Sequence, residues 1–154
     1  MFKIKRTYEP AARGDGRRIL VERLWPRGMT KEALAAVTWM KEVAPSTQLR
    51  QWFNHRVERW RAFRRRYRSE LSANPDTWQP ILDIESRRTV TLLYSARDTL
   101  HNGAVVLCEY LTERAARRTS GGRCDRSPSS SKTARLRQPR ASRPSESKSH
   151  QRPR

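Results

Sequence analysis

Asp98 and His101 stand three residues apart. A carboxylate and an imidazole so placed could act as a general acid–base pair. With Thr99 and Asn102 beside them, the same residues are also good helix N-caps, so the segment reads either as chemistry or as a capped helix start. They close the run Tyr94-Ser95-Ala96-Arg97-Asp98-Thr99-Leu100-His101-Asn102, in which Ser95, Arg97 and Asn102 add polar groups. A second polar run, Arg23-Leu24-Trp25-Pro26-Arg27-Gly28, carries an arginine on either side of an aromatic ring. Paired guanidinium forks suit a carboxylate or a phosphate, Trp25 could stack a base or ring, and Gly28 permits close backbone approach. The alternative is that Trp25 is core and Arg23 and Arg27 bridge to Glu22 or Asp98.

Both runs directly follow short apolar stretches, Ile19-Leu20-Val21 and Val90-Thr91-Leu92-Leu93, that read as buried strands. Ligands of open α/β sheets bind beyond the carboxyl ends of the strands. Asp98 and His101 are therefore candidate catalytic residues. Arg23, Trp25, Arg27, Arg64, Ser95, Arg97 and Asn102 are candidate ligand contacts.

Other constellations carry less. Ser46 and Ser95 lack a nucleophile-elbow setting. Cys108 falls on an apolar helix face, and Cys124 has no motif partner. His55 and His101 without cysteine or carboxylate ligands at metal spacing do not make a metal site. Arg13-Gly14-Asp15-Gly16 reads as a turn rather than a phosphate-cradling loop. No cofactor is identified.

The remaining elements follow from periodicity and caps. Residues 3–8 alternate and suit a first strand, residues 17–24 a second and residues 89–95 a third. The loop at 9–16 is too short for a crossover, which points to an antiparallel first pair. Thr30 can cap a short helix to about Val37, and Ser46 another holding Leu49, Trp52 and Phe53. Asn74-Pro75 reads as an N-cap with proline at the first helical position, opening a helix with Trp78, Ile81 and Leu82. Over residues 56–72, at ~100° per residue from Val57, Trp60, Phe63, Tyr67 and Leu71 fall at about 300°, 240°, 280° and 320°, one apolar arc. Arg64 falls at about 340°, on its edge, where its stem packs and its guanidinium seeks a ligand anion or an acidic neighbour. Ala104, Leu107, Cys108 and Leu111 share a face of a final helix. The result is an α/β domain with a small mixed sheet of three or four strands flanked by helices.

The 154-residue chain has net charge +19 and only 35% hydrophobic residues. Residues 115–154 hold 12 Lys+Arg against 2 Asp+Glu and almost no large apolar side chain beyond Leu136. Such a segment cannot bury enough surface to offset its ordering entropy, so it reads as a disordered basic Arg/Ser/Pro-rich tail after a domain at 1–114. A basic tail attracts nucleic acid without sequence preference. The start of the chain is too short and polar for a signal peptide, and no run approaches the ~18 apolar residues of a membrane span. With no cysteine framework, a reducing cytoplasm and no membrane partner are expected.

Val21-Glu22-Arg23-Leu24-Trp25-Pro26-Arg27-Gly28, Val43-Ala44-Pro45-Ser46, Leu49-Arg50, Trp52-Phe53, Phe63-Arg64-Arg65-Arg66-Tyr67 and Leu92-Leu93-Tyr94-Ser95-Ala96-Arg97-Asp98 with His101-Asn102 resemble the YeaO-like family, domain of unknown function four-eight-eight. The resemblance covers residues 3 to 113 and implies a compact three-layer α/β domain, with no established activity. It departs in two places. Arg56-Val57 follow His55 where the family has an acidic residue and proline, and Arg97 stands where a lysine is usual.

Two function classes remain. One is a site for an anionic or nucleotide-like small molecule between the two polar loops, with or without catalysis. The other is a nucleic-acid-associated module that places the Arg-rich helix and the tail on phosphates.

Overall fold

The computed structural model describes residues 1–121. Cys124 and the basic segment beyond Gly121 lie outside the described residues.

Strand β4 (Val90–Tyr94) is buried at every position. A near-continuous apolar run is what a strand covered on both faces requires. Strand β1 (Phe2–Arg6) pairs along one side of it and β2 (Arg17–Leu20) along the other, and the short β3 (Thr38–Trp39) extends the sheet beyond β2. The order is β1-β4-β2-β3 and every pairing is parallel.

The short 9–16 loop points to an antiparallel first pair and a mixed sheet, but the first two strands are not neighbours. β4 inserts between them and both run parallel to it. The connection crosses the face of β4, where Thr91 Oγ1 donates to the Asp15 carbonyl at 2.7 Å. Gly16 makes the turn into β2 at φ 64°, where a Cβ would lie 2.1 Å from the Thr89 carbonyl oxygen. The sequence reading contains no equivalent of β3, because two residues are too few to show a period.

Alternate residues of the strands face opposite ways. Ile19, Val21, Leu92 and Tyr94 join one large core with residues of helices α1 (Thr47–Phe53), α2 (Trp60–Ala73), α3 (Gln79–Glu85) and α4 (Gly103–Gly121). Leu20 and Leu93 point the other way and meet Leu34, with Trp25, Met29 and Val37 packed around them. Sheet, helical layer and this smaller cover make a compact α/β domain.

The cover is not the helix expected from Thr30 to Val37. Thr30 does accept from the Ala33 N–H at 3.2 Å, but the bonds that follow, Leu34 to Lys31, Ala35 to Glu32 and Val37 to Leu34, close three-residue turns. The segment follows the burial of Leu34 against Leu20 and Leu93 rather than a helical path.

Ser46 caps α1 as expected, accepting from Leu49 N–H at 3.1 Å. The arc at 56–72 divides into a 3-10 turn, Val57–Arg59, and α2. Phe63, Tyr67 and Leu71 are buried and Trp60 partly so, whereas Val57 is 52% exposed. Tyr67 donates its hydroxyl to the Val43 carbonyl at 2.7 Å, and burial pushes that hydroxyl far above the ordinary tyrosine range. Asn74 does not cap the next helix. Its side chain donates back to the Glu70 carbonyl, a 3-10 turn follows at Pro75–Thr77, and α3 starts only at Gln79.

Candidate functional site

Parallel pairing brings the carboxyl ends of β2 and β4 together, with Leu20 opposite Leu93. Val21 N–H still donates to the Leu93 carbonyl, at 3.1 Å, before the two chains leave the sheet. The polar loops predicted from sequence therefore emerge side by side. They are joined at once: Ser95 donates its N–H to Glu22 Oε1 at 2.8 Å and its hydroxyl to Glu22 Oε2 at 2.5 Å.

The first loop is held from both sides. Trp25 donates Nε1 to the Met29 carbonyl at 2.7 Å and stands edge-on to Trp39, with ring centroids 5.3 Å apart. Trp39 in turn donates to the Glu22 carbonyl at 2.7 Å, and Tyr8 donates its hydroxyl to the Arg27 carbonyl at 3.0 Å. Gly28 completes the turn at φ 77°.

Between the loops opens a cleft of about 380 Å³. Arg23, Trp25 and Arg27 line it from the first loop, and Ser95 and Ala96 from the second. Asn102, Gly103 and Ala104 bring the start of α4 to it, and Arg50, Phe53 and His55 come from α1 and the turn after it. Asn54 and His55 follow one another in left-handed conformations, φ 42° and 53°. That conformation is uncommon for a histidine and reverses the chain at the cleft's edge.

The basic groups differ in what they do. Arg23 is committed to the protein, donating Nε to the Pro45 carbonyl at 3.1 Å and Nη2 to the Ala44 carbonyl at 3.2 Å. Arg27 and Arg50 are exposed, and their guanidinium groups make no hydrogen bond or ion pair among the described residues. Glu22, the carboxylate lining the cleft, already accepts twice from Ser95.

Asn102 is 4% exposed and caps α4, accepting from Val105 N–H at 3.2 Å while its amide donates to the Asp98 carbonyl at 2.9 Å. Asp98 and His101 lie in the same loop but outside the cleft lining. Asp98 Oδ1 accepts from Leu100 and His101 N–H groups at 2.8 and 2.9 Å, and Oδ2 meets His101 Nδ1 at 2.8 Å. These backbone and ring hydrogen bonds hold the Asp98 carboxyl below its ordinary range. The His101 ring also stands perpendicular to that of Trp60, centroids 5.2 Å apart. Arg97 is exposed and outside the lining. Arg64 turns to α4, where it pairs with Glu109. Arg27 and Asp98 form no ion pair among the described residues.

Nothing in the sequence around Arg50 marks it as a site residue, and Glu22 reads there only as a partner for arginine. Arg50 is distant in sequence from both loops, and only the packing of α1 delivers it. Among the described residues no three His, Cys, Asp or Glu side chains are grouped so as to hold a metal ion.

The family model described as the inactive DUF488-N3 subclade matches residues 1–133. The chain belongs to this family. The uncharacterised protein YeaO of Escherichia coli (strain K12) is 46% identical over 110 residues, covering 71% of this chain and 96% of YeaO. The uncharacterised proteins Mb3100c of Mycobacterium bovis and Rv3073c of Mycobacterium tuberculosis are each 35% identical over 112 residues, covering 73% of this chain and 94% of theirs. No solved structure matches. The YeaO-like resemblance carried by motifs along residues 3 to 113 is thus borne out. Its two departures in this member, Arg56-Val57 and Arg97, are all exposed side chains.

Proposed function

We propose that the cleft beyond β2 and β4 binds a small anionic ligand with a planar ring, the chemistry of a nucleotide. The observation that carries this reading is the pair Arg27 and Arg50, two guanidinium groups on one cleft with no protein partner among the described residues. A forked donor left free beside a concave surface is suited to phosphate or carboxylate. Three further features support it. Glu22 accepts from Ser95 at both oxygens and forms no ion pair with Arg27 or Arg50 among the described residues. Gly103 and Ala104 bring the positive end of the 19-residue helix α4 to the same cleft. Trp25 adds an indole surface whose N–H is already bonded to Met29.

Binding without turnover fits best. The family is described as an inactive subclade. A carboxylate held in its ionised form by three hydrogen bonds, as Asp98 is, makes a weak general base. A cytoplasmic setting accords with such a ligand. Among the described residues no helix is long and apolar enough to cross a membrane.

A thermal-shift series with nucleoside mono-, di- and triphosphates, dicarboxylates and the uncharged nucleosides tests the reading. Ligand at about 100 times its Kd stabilises by roughly 2.7 kcal/mol, a readily measured shift. The charged compounds are expected to raise the melting temperature and the nucleosides to do so far less. Equal response to charged and uncharged compounds, or no response to any anion, would overturn it.

A further inference from the structure

Residues 47–73 contain eight arginines and two glutamates. The fold divides these arginines into groups with different fates. Arg64 and Arg68 turn towards α4 and pair with Glu109 and Glu113. Glu70 faces α1, where Ser46 donates both N–H and hydroxyl to it. Arg59 and Arg66 also turn towards α1 and both approach the ring of Trp52, at 5.3 and 4.1 Å from its centroid. Arg59 donates to the Trp52 carbonyl, whereas the Arg66 guanidinium makes no hydrogen bond or ion pair among the described residues.

This arrangement has a cost that the fold does not explain. Two like charges share one indole ring, and no carboxylate stands within 4.0 Å of either guanidinium among the described residues. A guanidinium held over a ring, as Arg66 is, can still turn its N–H groups to a phosphate. Arg59, Ala62, Arg66 and Ser69 follow at intervals of three, four and three, one stripe of a helix. The small side chains of Ala62 and Ser69 leave the stripe low between its charges. Exposed Arg56 and Arg65 add charge beside it, again without an ion pair among the described residues.

We propose that this stripe, Arg59 and Arg66 about Trp52 with Arg56 and Arg65 beside them, docks the phosphate backbone of a nucleic acid. From Arg59 to Arg66 is about 10 Å along the helix axis, enough for the two guanidinium groups to reach different phosphates of one strand. A linear row of forks fits a strand better than a single small anion. A membrane surface fits less well, since alanine and serine stand between the arginines and the aromatic ring among them, Trp52, lies under two guanidinium groups. The surface is separate from the cleft, and its residues other than the shared helix α1 play no part in the ligand site proposed above.

Fluorescence anisotropy of the full chain with labelled single-stranded RNA, single-stranded DNA and duplex DNA tests the proposal. The variant Arg65→Gln/Arg66→Gln leaves the Arg59 bond to the Trp52 carbonyl in place. The control Arg87→Gln/Arg88→Gln removes the same charge from two exposed positions elsewhere. The first variant is expected to weaken binding about tenfold for at least one nucleic acid and to lower the salt slope by about 1–2, with the control losing less than about threefold. The three probes then identify the strand type. Equal losses in the two variants would overturn the proposal, because the affinity would follow net charge alone. So would vesicles rich in phosphatidylserine that bind as tightly with the same dependence on Arg65 and Arg66. Circular dichroism melts of both variants, expected to match the parent, exclude unfolding as the cause.

Discussion

Ser95 holds the carboxylate of Glu22 with both its backbone N–H and its hydroxyl. The two residues are 73 positions apart, and each stands just past the end of its strand. This contact fastens the loop after β2 to the loop after β4 and satisfies the acceptor groups of the cleft's carboxylate. The guanidinium groups of Arg27 and Arg50 on the same cleft have no hydrogen-bond or ion-pair partner among the described residues.

Replacing Ser95 with Ala removes the hydroxyl donor to a charged, half-buried acceptor and keeps the backbone bond. The expected cost is about 1–2 kcal/mol. Urea denaturation of Ser95→Ala measures it, and an unchanged midpoint would mean that Glu22 does not depend on the hydroxyl.

Arg27 and Arg50 have no protein partner to lose among the described residues, so Arg27→Ala and Arg50→Ala should each change stability by less than about 0.5 kcal/mol. Each should weaken the anionic ligand found in the thermal-shift series by about tenfold, the worth of one charge-assisted contact. Isothermal titration beside a melting curve separates the two effects. A large stability loss with unchanged binding would assign these arginines to structure.

Asp98 supplies a pH test. Backbone N–H groups of His101 and Leu100, with the His101 ring, hold its carboxyl below the ordinary range. A depressed folded-state value means that the ionised group stabilises the fold above the unfolded-state value and that this contribution is lost as pH falls through the folded one. Asp98→Asn should therefore melt below the parent at pH 7. The gap should narrow as pH drops under about 3.9, the ordinary aspartate value, and close once the parent carboxyl is also protonated. A gap constant across that range would show that ionisation is not what the loop uses.

Helix α4 continues through Gly121. Ala115 packs against the core and Arg118 pairs with Asp83 at 3.0 Å. A chain cut after Arg114 should lose a few degrees of melting temperature, because the last helical turns and one small apolar contact go with it. A chain cut after Gly121 should melt like the full chain. Equal melting of the two truncated chains would show that the end of α4 adds nothing.

Much of this architecture was legible in the residues. The continuous apolar run of β4, the arc of Phe63, Tyr67 and Leu71, and the Ser46 cap each follow from local rules, because burial period and capping chemistry act over a few residues. The segments that went differently are those where tertiary contact outweighs propensity. Residues 30–37 stay in turns because Leu34 is drawn onto Leu20 and Leu93, and Asn74 spends its side chain on α2 instead of on the next helix.

The sequence by itself determined which residues would stand at the strand ends, since the polar loops begin where the apolar runs stop. It also determined family membership, through several motifs in fixed order. Only the tertiary structure decided that β4 separates β1 from β2, because strand neighbours are chosen by long-range pairing that no local period encodes. The same long-range packing selected among the charges. It brought Arg50 and His55 to the cleft and Ser95 to Glu22, turned Arg64 away to Glu109, and left Arg27 and Arg66 without an ion-pair partner among the described residues. A guanidinium is always charged, but what it pairs with depends on which surfaces meet.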